Sequence, residues 1–154
     1  MTLKRHNATR DIVVTPTITA GAYSANDAVG GKLTFTGALG KQNWGAVNIA
    51  CVITDKGKQD AALALVLFGA DFTPIADNAA FDPSDADLIK IIGYISISTY
   101  LSWVDNSMAI GVATIPMVSG SASGTIYGQL YTTDTPTYTS ASDLQVRLVL
   151  QGDI

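Results

Sequence analysis

The sequence predicts an all-β chain: a two-sheet antiparallel sandwich, jelly-roll-like, with about eight strands and one short helix near 84–89. Three observations predict it. All 13 acidic residues are Asp and none is Glu; Glu favours helices, whereas the short Asp carboxylate competes for nearby backbone groups and favours caps and turns. The chain is dense in Thr, Val, Ile and Tyr, the residues of pleated, half-buried surfaces. Its 14 Gly and 5 Pro punctuate short apolar runs at turn spacing. Eight is the strand count of a jelly roll, and a closed barrel is the rival architecture. The length of 154 residues fits one domain with a substantial core. Residues 1–10 read as a basic N-terminal arm and 11–154 as a single sandwich domain.

The first strand is expected over about Asp11 to Thr19, with Pro16 marking an edge position because it cannot donate to a ladder. After the loop Gly21–Asp27, Leu33 and Phe35 alternate with Lys32, Thr34 and Thr36 to give a second strand over 31–36. A third, 44–54, sets Val47, Ile49, Cys51 and Ile53 on one face. The fourth, 62–68, offers Leu63, Leu65 and Leu67; its apolar run is also compatible with a helix, and Gly69 with the flanking Asp residues favours a short buried strand. A long loop, 69–81, follows. Ser84 is placed to cap a helix of one or two turns, with Asp85 and Asp87 at its positive end. Strands resume at 91–98, at 108–117 and at 125–132, where Tyr127, Gln129 and Tyr131 share a face. The last strand has period two: Leu144, Val146, Leu148 and Leu150 against Gln145, Arg147, Val149 and Gln151.

Several function classes lose their chemistry at this level. Net charge is −4, so the domain has no basic nucleic-acid footprint. No apolar run reaches the ~18 residues of a membrane span, and no h-region follows the basic N-terminus, so no secretory signal is expected; synthesis in a cytoplasm is the expectation. Cys51 is the lone cysteine, which leaves no intramolecular disulfide and no Cys-based zinc cluster; on an apolar strand face it reads as a buried structural thiol. His6, the lone histidine, sits in the polar arm with no adjacent orienting partner, which defeats a Ser–His–Asp arrangement. Gly30-Gly31-Lys32-Leu33 and Gly40-Lys41-Gln42 lack the Ser or Thr that follows Lys in a phosphate loop. Catalytic residues, cofactors and resident metals are therefore not expected. Asp71, Asp77, Asp82, Asp85 and Asp87 cluster in sequence as calcium ligands do, but Asp82–Leu88 lacks the Gly and distal Glu of an EF-hand loop; capping and turns account for these residues. Trp44, Trp103, Tyr127 and Tyr131 could stack on sugars, and packing is the commoner fate of such rings.

The positive signal is surface. Charged residues are 14% of the chain, against about 25% in ordinary soluble domains. Val52, Val66, Phe68 and Val149 fall opposite the main apolar stripes. Either loops cover these second faces within one sandwich, or copies of the chain or a lattice cover them. Lys4, Arg5 and Arg10 concentrate positive charge in the first ten residues, as a docking arm or as a solvated tail.

Recurrent stretches include Val14–Ser24, Asp27–Phe35, Asp60–Phe68, Asp77–Phe81, Ser84–Leu88, Thr135–Thr139 and Ser142–Leu144. With them the chain resembles small virion structural proteins of tailed bacteriophages. The resemblance implies a capsid decoration or cement protein on the virion surface. It implies the major capsid protein and further copies of itself as partners, with a trimer favoured, and neither nucleic acid nor membrane. It carries over no functional residue. A tail, fibre or baseplate component binding host glycan is the alternative, and an Asp-based hydrolase a distant third.

Overall fold

In a computed structural model the chain is described over residues 7–39, 44–119 and 124–153. Nine strands and one short helix follow in order: β1 (Asn7–Val14), β2 (Ala28–Phe35), β3 (Trp44–Asp55), β4 (Leu63–Phe68), α1 (Asp85–Leu88), β5 (Ile91–Ile97), β6 (Tyr100–Ser102), β7 (Ser107–Ser119), β8 (Ile126–Thr132) and β9 (Leu144–Asp153). They form two antiparallel sheets, β1-β9-β3-β7-β6 and β2-β8-β4-β5. With the three-residue β6 set aside, first pairs with last, second with second-last, and so inward: β1 with β9, β2 with β8, β3 with β7, β4 with β5. This is one long hairpin rolled into two layers, the jelly roll. The two sheets have separate edges, so the architecture is not a closed barrel.

The expected period-two faces build the core. Ile49, Cys51 and Ile53 meet Leu144, Val146, Leu148 and Leu150 from one sheet; Leu33, Phe35, Leu63, Leu65, Leu67, Ile95 and Ile97 come from the other. The sheets touch most closely where β7 passes β5. Gly111 has no side chain there, and a Cβ would lie 2.5 Å from the Ser96 carbonyl oxygen.

Several boundaries move: β2 begins three residues early, at Ala28, and β1 shifts most. β1 begins at Asn7 and ends at Val14, because Pro16 has no N–H to donate; beyond it Ile18 N–H donates to the Ala141 carbonyl instead. Residues 7–10 therefore belong to the edge strand, paired through Asn7↔Asp153 to Arg10↔Leu150, and not to an arm. β6, a stretch to which the sequence assigned no element, is three residues long and too short for a periodic signal. The helix is as expected: Ser84 Oγ accepts from Asp87 N–H, and Asp85 and Asp87 lie in the first turn. No helix among the described residues is long and apolar enough to cross a membrane.

Candidate functional site

Both sheets carry apolar residues on their outer faces, and the two faces meet different fates. Outside the four-stranded sheet, Val66 and Phe68 are buried beneath the chain's own 69–84 segment, with Phe72 stacked on Phe68 at 3.8 Å between ring centres. Polar anchors hold that cover down. Gln129, fully buried on β8, donates through Nε2 to the carbonyls of Ile75 (2.7 Å) and Gly30 (3.0 Å) and accepts from Ile75 N–H. The Asp77 carboxylate accepts from Thr19 Oγ1 (2.6 Å), Tyr23 OH (2.7 Å) and Gly30 N–H (2.6 Å). The Gly30-Gly31 pair thus sits at a register break in β2, with Gly30 at φ +76°, and serves the backbone rather than a phosphate. For Val66 and Phe68, covering within the sandwich is the outcome.

Outside the five-stranded sheet nothing in the described chain plays that part. Register sets its outward residues in rows across β1, β9, β3 and β7: Val13–Arg147–Val52–Ile110, then Asp11–Val149–Ala50–Val112, then Thr9–Gln151–Asn48–Thr114. A fourth row adds Met108 and Leu101 at β7 and β6. Val52 is buried by its neighbours and Val149 half-buried, but Ile110 is 58% and Val112 75% exposed, and Val13 and Leu101 are exposed as well. Arg147 and Asp11 are the charges of the three rows, and they pair at 3.5 Å. Ala50 is the small residue of its row; over it lies a hollow of about 460 Å³, walled by Val112, Val149, Asn48, Thr114 and Gln151. The sequence reading singled out Val52 and Val149 on this face; it missed Ile110 and Val112, which it placed in a strand without assigning faces.

The remaining candidates are structural where they are described. Lys4, Arg5 and His6 lie outside the described residues, as does the side chain of Trp44. Arg10 lies within β1 and donates through Nη1 to the Gly37 carbonyl, which holds its guanidinium against the chain's own backbone. Cys51 is fully buried, and burial pushes its thiol up to about 12; it is not a nucleophile in the folded state. Among the described residues no three His, Cys, Asp or Glu side chains are placed to hold a metal ion. Asp71 pairs with Lys32. Asp87 accepts from Lys90 Nζ (2.7 Å), Ser84 Oγ and Thr73 N–H. Tyr127 and Tyr131 pack against Val66, Phe68 and Phe72, and Tyr131 stacks on Phe81 at 4.9 Å. Trp103 is half-exposed beside Val104, just beyond β6.

These pairs predict an acid sensitivity. Hydrogen bonding from Lys32 holds the Asp71 carboxyl below its ordinary value of 3.8, and hydrogen bonding from Lys90 does the same for Asp87. A depressed folded-state value contributes stability that is present above the unfolded value and lost as pH falls through the folded one. Thermal melts from pH 6 down to pH 2.5 should show the melting temperature falling below about pH 4. Lys90→Met should flatten that fall, and an unchanged slope would refute the assignment.

No protein-family model matches the chain, and no curated protein matches it. Among solved structures the chain is similar to one titled "PRD1 vertex protein P5", at 14% identity and a TM-score of 0.23, over 82% of this chain and 96% of that one. A superposition that loose transfers neither fold nor role; the jelly-roll assignment rests on the strand order alone.

Proposed function

We propose that this chain is a non-enzymatic structural subunit of a tailed-bacteriophage virion, a decoration or cement protein that binds the head shell. The observation that carries the reading is the outward face of the five-stranded sheet. The fold spends a 16-residue segment and two polar anchors to cover one outer face and, among the described residues, leaves the other bare. A soluble monomer rarely exposes a contiguous apolar patch beyond a few hundred Å², and assembly subunits do so because a neighbour completes the burial. Viral capsid domains are among the users of the jelly roll, which agrees with the reading at the level of analogy. The low charge content and the resemblance carried by Val14–Ser24 and Asp60–Phe68 agree with it too.

The test is cosedimentation of the purified chain with undecorated heads of the phage that encodes it. Saturable binding at a fixed ratio to the major capsid protein, with heads more resistant to heat, is expected. Heads that stay bare at tens of micromolar protein would refute the role. Because residues 7–10 belong to β1, a truncation probing Lys4 and Arg5 must stop at residue 6; removing 1–6 should weaken attachment and leave the melting temperature unchanged.

One observation favours glycan binding by a tail component as a second reading. A groove of about 430 Å³ runs between Tyr94, Tyr131, Phe81, Pro83 and Leu88, and aromatic walls of this kind can stack on sugar rings. Binding on a glycan array that Tyr94→Ala abolishes would promote it.

A further inference from the structure

Resting on the reading of the chain as an assembly subunit, we infer that the outward face of the five-stranded sheet packs against the same face of a second copy. The contact is an isologous two-fold whose axis runs parallel to the strands, midway between β9 and β3.

The rows themselves argue for it. Rotation about that axis lays β9 over the partner's β3 and β1 over the partner's β7. Each row then meets its own reverse. Val149 comes over the partner's Ala50 and fills the hollow there; Val13 meets Ile110; Gln151 meets Asn48; Thr9 meets Thr114. Apolar residues meet at Val149–Ala50 and Val13–Ile110 and amides at Gln151–Asn48, twice over, while Arg147 lies over the partner's Val52 and Asp11 over the partner's Val112. The Arg147–Asp11 pair makes the net charge of these rows zero, so each Arg147, which flanks the axis beside its symmetry mate, brings its own counter-charge into the contact.

Size agrees. Four strands ~4.8 Å apart, over the seven residues that the four rows span at ~3.4 Å, cover about 450 Å², so two faces bury on the order of 900 Å² before side-chain relief is counted. That approaches the ~1,000 Å² expected of a specific interface. Aligned packing of two sheet faces is also how β-sandwiches build their own cores. The contact closes on itself, so it yields a dimer and not the trimer that the resemblance implies.

The test uses the full chain in the absence of heads. Light scattering at 10–100 µM should give twice the chain mass. Ile110→Lys buries two unpaired charges per dimer and should raise the dimer Kd at least 100-fold; Ile110 is 58% exposed in the single chain, so the melting temperature of the isolated fold should hold. Val13 and Ile110 stand three strands apart, ~14 Å, beyond disulfide reach within one chain. A Val13→Cys, Ile110→Cys double variant should therefore oxidise to a closed covalent dimer and not to a ladder. A monomeric wild type, a trimeric mass, an Ile110→Lys variant that still dimerises, or a disulfide ladder would each overturn the inference. Head binding separates the two claims: a monomer that decorates heads keeps the virion role and removes the dimer, and a dimer that ignores heads does the reverse.

Discussion

Gly111→Ala is expected to cost about 3 kcal/mol, the upper end of ordinary overpacking penalties, and to lower the melting temperature by roughly 6–12 °C. The added Cβ would stand 2.5 Å from the Ser96 carbonyl oxygen, 2.7 Å from Ile95 Cγ2 and 2.9 Å from Ile97 Cγ1. The first of these atoms is backbone and cannot rotate away. Relief requires β5 to move off β7, and β5 carries Ile95 and Ile97, which are core residues. The damage therefore spreads from one methyl group to the seam between the sheets. Gly31→Ala is the control: nothing lies within 4 Å of its Cβ position, so the change should stay within about 0.5 kcal/mol. Equal melting temperatures for the two variants would show that the sheets can separate at this seam without loss, and would refute the close approach as a determinant of the fold.

The contrast between these glycines shows where a sequence is legible. Period-two patterning identified the strands because an inward face must be apolar along its length; Leu144–Leu150 and Ile49–Ile53 could be read directly. The Ser84 cap could be read because it is a local contact. Nothing local distinguishes Gly111 from Gly31, since what matters at Gly111 is a strand 15 residues away in sequence and across the sandwich. The same holds for the surface. Val66 and Phe68 on β4 and Ile110 and Val112 on β7 look alike in sequence, as apolar residues inside strands. Only the path of the 69–84 segment decides that the first pair is covered and the second left bare. β1 was placed four to five residues too late for a related reason: Asn7-Ala8-Thr9-Arg10 has no apolar signature, and its strand conformation is imposed by the ladder with β9.

Asp77→Ala is the second variant expected to have a large effect, and it tests what decides those two fates. The Asp77 carboxylate joins three segments: Thr19 and Tyr23 before β2, Gly30 at the β2 bulge, and the covering segment itself. Burial and the adjacent Asp77 carboxylate both raise the Tyr23 hydroxyl above its ordinary value of 10.0, so that hydroxyl stays protonated and donates at any physiological pH. Removing the acceptor strands the Tyr23 O–H and the Gly30 N–H together. Hydrogen bonds to charged groups are worth about 1.5–3 kcal/mol each and do not add fully, so a loss of about 3 kcal/mol is expected. Asp77→Asn keeps one acceptor oxygen and should lose roughly half as much. The informative readout is local. With its anchor gone, the 69–84 segment should admit protease first, and Val66, Phe68 and Phe72 should become accessible to a hydrophobic dye below the global unfolding transition. Should Asp77→Ala unfold the whole domain in one step, with no early cleavage between 69 and 84, the segment would be an integral part of the core and not a fastened cover. The asymmetry between the sandwich's two outer faces would then have to originate in the strands themselves.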